Sequence, residues 1–409
     1  MNKMTIDDLD LKGKRVLIRV DFNVPLTAEL TVSDDKRIVA ALPTIKKVME
    51  SGGKAILMSH LGRPDGEKKL EFSLKPVADA LAKLINKPVA FAPDCVGPQA
   101  EAVVAAMKPG DVALLENLRF YPEEEGKKAG VKMSSEERQW FIDGLCKLAD
   151  VYIDDAFGTA HRNHASMAGV PKKLGLGASG YLMSKELEYF AKVFDNPQRP
   201  LLAILGGAKV SDKILVIENL LNKVDSLIIG GAMAYTFLKA KGVAVGTSRV
   251  EEEFVDKAKG YLKTAAEKKV TLLLPVDHVI AAEFPTAGKE NGAQVTEGEA
   301  IPNGMMGLDI GPKSIELFKA EVARAKTIVW NGPMGVFEVA GFEKGTFAIA
   351  EAMASGNAVT VIGGGDSASA VKKAGVAKKM SHVSTGGGAS LELMEGKVLP
   401  GVAALTDKK

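Results

Sequence analysis

At 409 residues the chain is too long for one ordinary core, and 46% apolar with 25% charged residues is the make-up of a globular protein, so two domains of roughly 200 residues are expected. A formal net charge of +2 gives no support to polyanion binding by bulk charge, so any basic site has to be local and no nucleic-acid partner is expected. Two cysteines are too few for a disulfide framework, and neither a signal-peptide stretch nor an apolar run of the roughly 18 residues that span a bilayer is present; the expectation is a cytoplasmic protein with no membrane partner.

Short apolar runs rich in β-branched residues alternate with longer amphipathic stretches, which predicts parallel strands with crossover helices and an α/β fold. The strand at 15–20 runs into Asp21, Phe22 and Asn23, delivering a carboxylate and an amide where α/β crevices bind ligands. A turn capped by Asp and Asn reads equally well. An amphipathic helix at 35–50 carries Arg37 near its start, where a solvated charge is the commoner explanation. The strand at 54–59 leads to Ser59-His60-Leu61-Gly62-Arg63-Pro64. A surface loop more often carries lysine; arginine suits bidentate contacts to phosphate or carboxylate. Strands at 88–92, 112–116 and 150–154 follow, the second leading to Arg119 and the third to His161, Arg162 and His164. Three basic clusters beyond the carboxyl ends of three parallel strands converge on one crevice, whose ligand carries several negative charges. The charged stretch 122–138 reads as a solvated surface excursion.

The segment 175–180 fits G-x-G-x-x-G but follows Pro171-Lys172-Lys173 in place of a strand, so it reads as a connector. It leads to a helix at about 184–195 that Asn196 and Pro197 break, which puts the domain boundary within 170–200. Strands at 201–205, 225–229, 270–274, 327–331 and 358–362, with helices at 212–224 and 251–268, make a second doubly wound sheet. The turn Gly206-Gly207-Ala208-Lys209 lets backbone approach an oxyanion at a helix start. A helix beginning by about 209 puts Lys209 and Lys213 on one face; two solvated lysines on a tight turn are the alternative. Asn331, Pro333 and Glu338 belong to an apolar, glycine-containing segment that walls a nucleoside or makes an ordinary buried turn. Gly364, Gly365, Asp366 and Ser367 repeat the strand–loop–helix placement and add a carboxylate suited to Mg²⁺, although a helix N-cap looks the same. No Walker G-x-x-x-x-G-K-[ST], protein-kinase set or zinc spacing occurs.

Together these segments resemble phosphoglycerate kinase, in family order from residue 15 to about 400. The resemblance implies reversible transfer of the acyl-phosphate of 1,3-bisphosphoglycerate to Mg-ADP, giving 3-phosphoglycerate and ATP. It implies two mainly parallel, Rossmann-like domains joined by a hinge helix: 1–180 for the glycerate phosphate, with the tail from about 395 packed back on it, and 181–395 for the nucleotide. By that match the glycerate is held by Asp21, Phe22, Asn23, Arg37, His60, Leu61, Gly62, Arg63, Arg119 and Arg162. The nucleotide is held by Gly207, Lys209, Lys213, Asn331, Pro333, Glu338, Gly364, Gly365, Asp366 and Ser367, with Asp366 on Mg²⁺. Arg37, Lys209 and Lys213 are implied as catalytic cations, and a monomer is expected. The family often has Thr where this chain has Ser367, which keeps the hydroxyl. Phosphoryl transfer depends on positioning and charge, so no side-chain nucleophile is required. A nicotinamide-dependent dehydrogenase and a non-enzymatic polyanion-binding protein are the alternatives. The first lacks a G-x-G-x-x-G after a strand; the second leaves Lys209, Asp366 and the glycine loops without work.

Overall fold

A computed structural model of the chain describes residues 2–286, 288 and 292–408. The fold is α/β and falls into two compact units, Met1–Leu187 with Val398–Lys409 and Glu188–Lys397. Among the described residues no helix is long and apolar enough to cross a membrane.

In the first unit six parallel strands lie in the order Val89–Ala92, Val112–Leu115, Lys54–Met58, Arg15–Arg19, Val151–Asp154 and Gly177–Ser179. Their continuous apolar runs are explained by burial on both faces. Val16 and Ile18 enter one core with Ile38, Ile45 and Leu81, while Leu17 and Ile56 enter the other with Phe141 and Leu145. Each such side chain contributes about 1.5–3 kcal/mol by leaving water. Because every strand points the same way, the loops at 21–23, 59–63, 116–119 and 155–162 share one edge of this sheet.

The connector reading of 175–180 is corrected here: Gly177–Ser179 is the edge strand, paired with Val151–Asp154. Three small residues carry no periodicity, so their pairing is decided by tertiary context. The excursion 122–138 is also more than solvated surface. It holds a turn of helix at Pro122–Glu125, a hairpin at Lys127–Lys128 and Val131–Lys132, and the start of helix Ser135–Lys147. Glu124 within it is fully buried. Beyond Val398 the chain packs into this same unit. Leu405 joins the second core, Gly401 donates its N–H to the Ala160 carbonyl at 2.8 Å, and Thr406 donates to Gly177 at 2.9 Å.

The second unit has a parallel sheet in the order Thr271–Leu273, Ser226–Ile229, Leu201–Leu205, Thr327–Asn331, Val359–Gly363 and His382–Val383. Trp330, Ile204 and Ile228 anchor one core with Phe318 and Ile349. A three-stranded antiparallel sheet, Gln294–Val295, His278–Ala281 and Met306–Ile310, has no counterpart in the sequence reading. Its strands are short, and Met306–Ile310 carries Gly307 and Asp309, which mask any strand signal. The helix expected at 212–224 is shorter: a 3₁₀ turn at Ser211–Lys213 leads into Ile214–Leu220. Lys209 therefore precedes the helix, and the expectation of a shared helical face with Lys213 is not met.

Candidate active site

In the first unit the strand ends carry an interlocked set of loops. Asp21 follows Arg15–Arg19 closely, accepts the Asn23 N–H at 3.2 Å and forms an ion pair with Arg37. That pairing takes Arg37, at the start of helix Lys36–Glu50, out of the category of free surface charge. The Asn23 side-chain oxygen accepts the Gly62 N–H at 2.9 Å, and Phe22 donates its N–H to Ser59 Oγ at 2.8 Å. Phe22 and Leu61 are buried with their backbones already bonded, Leu61 donating its N–H to the Asn117 side-chain oxygen at 3.2 Å and accepting from that amide at 2.7 Å, so they brace the loops and present nothing to a ligand. Gly62 adopts φ +61°, and a Cβ there would lie 2.3 Å from the Phe72 ring, so this turn requires glycine. Arg119 Nη1 donates to the Gly62 carbonyl at 2.8 Å, and Arg63 and Arg162 stand exposed.

His60 is buried, with Nδ1 3.1 Å from Arg19 Nη2. A guanidinium only donates, so Nδ1 accepts and the ring proton resides on Nε2. Burial first, then the charges of Arg19 and Arg119, hold this imidazole well below its ordinary range, and it is neutral at pH 7. Arg19 is itself completely buried. The sequence reading left it out of the site; the signal available was a charge between Ile18 and Val20 in the otherwise apolar run Val16–Val20. Glu124 and Ser166, its buried neighbours, gave no such signal.

In the second unit four glycine-bearing turns meet at the carboxyl ends of adjacent strands. A Cβ on Gly206 would lie 2.0 Å from the Pro333 carbonyl oxygen, and one on Gly332 would lie 2.2 Å from the Gly206 oxygen. These turns pack backbone against backbone, tied by Gly206 N–H to the Asn331 oxygen at 3.0 Å and Gly207 N–H to the Pro333 oxygen at 3.2 Å. Beside them opens a cavity of about 380 Å³ lined by, among others, Gly207, Gly231, Tyr235, Leu308, Pro333, Val336, Glu338 and Asp366. That size and mixture suits a small organic ligand with one charged end.

Asp366 lies in the first turn of helix Gly365–Lys373, capped by Gly364 at φ +88°. Ser367 is buried, and its hydroxyl accepts the Gly332 N–H at 2.6 Å, so it braces the turn. Lys213 donates to the Asn331 side chain, and burial lowers its amine to about 8 against the pull of Asp212 and Asp366. Lys209 is exposed on the turn. Glu251, absent from the sequence reading, shapes that turn by accepting the N–H groups of Val210 at 2.5 Å and Ser211 at 3.0 Å. Nothing in the local sequence of Glu251 announces a partner some forty residues away.

A sequence profile described as "Phosphoglycerate kinase" matches residues 6–397. The chain belongs to that family. It is 55% identical over 408 residues to the phosphoglycerate kinase of Clostridium botulinum (strain Alaska E43 / Type E3), covering 99% of both chains. It is 50% identical to that of Chlorobium phaeobacteroides, covering 100% of both. The solved phosphoglycerate kinase of Coxiella burnetii superposes with a TM-score of 0.89 at 41% identity, over 98% of each chain. As a phosphoglycerate kinase the chain is a phosphotransferase of glycolysis, and the nucleotide substrate of this family is used as its Mg complex.

Proposed function

We propose that the chain transfers the acyl-phosphate of 1,3-bisphosphoglycerate to Mg-ADP, with the glycerate on the first unit and the nucleotide on the second. The observation that carries this reading is that each unit gathers groups suited to an anion at its own strand ends. One gathers arginines and a neutral His60 at strand ends; the other gathers glycine turns, Glu338 and Asp366 around a cavity.

On the first unit Asp21, paired with Arg37, and Asn23, locked to Gly62, offer the hydroxyl and carboxylate partners. Arg63, Arg119 and Arg162, with His60 beside them, face the phosphate. Gly62 contributes backbone, and the buried Phe22 and Leu61 hold the loops in place. On the second unit Gly207 and Lys209 meet the phosphate chain, Pro333 and Glu338 meet the ribose, and Gly364 and Gly365 present the helix N-terminus. Asn331 aims Lys213, and Ser367 holds the loop in place. Asp366 stands on the cavity wall, and among the described residues no group of three or more His, Cys, Asp or Glu forms a metal cage. One carboxylate plus phosphate oxygens and water is the donor set Mg²⁺ uses, and the ion supplies neutralisation of the nucleotide oxygens.

Arg37, Lys209 and Lys213 are the cations assigned to the charge that spreads over the transferring group. The reaction needs the acyl-phosphate and the nucleotide in line, so closure of the two units with exclusion of water is part of the proposal. We place the protein in the cytoplasm, in keeping with its two free cysteines, and take it to act as a monomer. A coupled assay with ADP, Mg²⁺ and 1,3-bisphosphoglycerate should yield ATP. Folded protein that binds both ligands yet forms none refutes the reading. Scattering with and without both ligands tests closure: an unchanged radius of gyration removes that step.

A further inference from the structure

Behind the crevice of the first unit runs a buried chain of hydrogen bonds that the ligand assignments do not use. Glu124 accepts the Ser166 hydroxyl at 2.6 Å through one oxygen and the Ser166 N–H at 2.9 Å through the other. The same hydroxyl accepts from Arg19 Nε at 2.9 Å. Arg19 Nη1 donates to the Val20 carbonyl at 2.5 Å, and Nη2 reaches His60 Nδ1 at 3.1 Å. Glu124, Ser166 and Arg19 are wholly inaccessible, and His60 is only 4% exposed.

The direction of every bond is fixed by chemistry. Glu124 accepts from Ser166 on both oxygens, so Ser166 spends its one hydroxyl proton there and has only lone pairs left for Arg19. Arg19 has no acceptor, so the imidazole nitrogen facing it carries no proton. The Glu124 carboxyl group thereby faces the buried Arg19 guanidinium through one bridging hydroxyl. Adjacent charges are paired elsewhere. Arg119 Nε lies 3.3 Å from Glu125, and His164, 3.9 Å from Glu125 and 3.7 Å from Glu124, is held by burial down to about 3 and stays neutral.

We propose that Glu124 is a positioning residue for the glycerate site: through Ser166 and Arg19 it holds His60 as the Nε2–H tautomer, a neutral donor aimed at the bound anion. The proposal rests on assigning the glycerate to this crevice. It gives the site a discriminating element. Arginines attract any anion, whereas one N–H with a fixed direction favours an oxygen at one position.

The test uses the full chain labelled with ¹⁵N-histidine, whose long-range ¹⁵N–¹H correlations report the tautomer of His60. At pH 7 the ring is expected neutral with Nε2 protonated; an Nδ1-protonated or cationic ring overturns the proposal without any variant. Ser166→Ala removes the acceptor that holds Arg19 Nε, freeing the guanidinium to turn from His60, which is then expected to populate both tautomers while KM for 3-phosphoglycerate rises about tenfold and KM for ATP stays put. Glu124→Gln, which offers Ser166 an amide in place of one oxygen, should move the same readouts in the same direction. An unchanged tautomer in a folded Ser166→Ala variant, or an equal rise in both KM values, overturns the relay. A wild-type ring in the expected tautomer that does not respond to 3-phosphoglycerate overturns the glycerate assignment and with it this role, leaving the buried chain of bonds intact.

Discussion

Replacing Gly206 by alanine probes the nucleotide side at its tightest point. The new Cβ would lie 2.0 Å from the Pro333 oxygen and 2.5 Å from the Gly332 oxygen, about 1.4 Å inside ordinary van der Waals contact with the first. Both obstacles are backbone, so no side-chain rotation relieves the clash. The turn at 206–208 and the turn at 332–334 have to separate. That separation stretches the Gly206–Asn331 and Gly207–Pro333 hydrogen bonds, at about 0.5–1.5 kcal/mol each, and adds an overpacking cost of roughly 1–3 kcal/mol. The sum, about 2–6 kcal/mol, falls on the two turns that frame the cavity. Calorimetry should show ADP affinity lowered by at least tenfold, with 3-phosphoglycerate affinity within twofold of wild type, and urea unfolding should show a destabilised protein. Wild-type ADP affinity in the folded variant refutes the assignment of these turns to the nucleotide.

Gly260→Ala serves as the opposite case: the position lies within helix Val255–Glu267 and an added Cβ would meet nothing within 4 Å, so it should stabilise by about 0.5–1 kcal/mol in the same urea titration. Arg63→Ala should weaken 3-phosphoglycerate binding and leave ADP affinity nearly intact; equal loss of both contradicts separate anion sites. Lys213, lowered from 10.5 to about 8 by burial, should lose its charge as pH rises through 8. kcat/KM for ADP should then fall above pH 8, and a flat profile from pH 7 to 9 contradicts its catalytic assignment. The stability effect has the opposite sign: burying the charged amine destabilises below about pH 8, and that cost is relieved as pH rises toward 10.5.

Positions such as Gly62, Gly206 and Asp366 were legible in the sequence because each follows an apolar run and carries a property, positive φ or close approach or charge, that its residue type declares. Strands buried on both faces announced themselves by unbroken apolar runs, as at Leu201–Leu205. What escaped depends on partners distant along the chain. Glu124 reads as one more acid among Glu123 and Glu125 until Ser166 and Arg19 are seen beside it. The start of the helix after Lys209 is set by Glu251, which takes the first free N–H groups from a loop some forty residues on. Gly177–Ser179 becomes a strand only because Val151–Asp154 offers it an edge.

The return of residues 398–408 to the first unit sets an order of assembly. The second unit is one uninterrupted stretch, Glu188–Lys397, whereas the first needs Leu405 in its core and Thr406 against Gly177. During synthesis those last contacts become available only after every residue of the second unit has been made. The half of the protein that leaves the ribosome first is therefore the half that cannot be completed until synthesis ends.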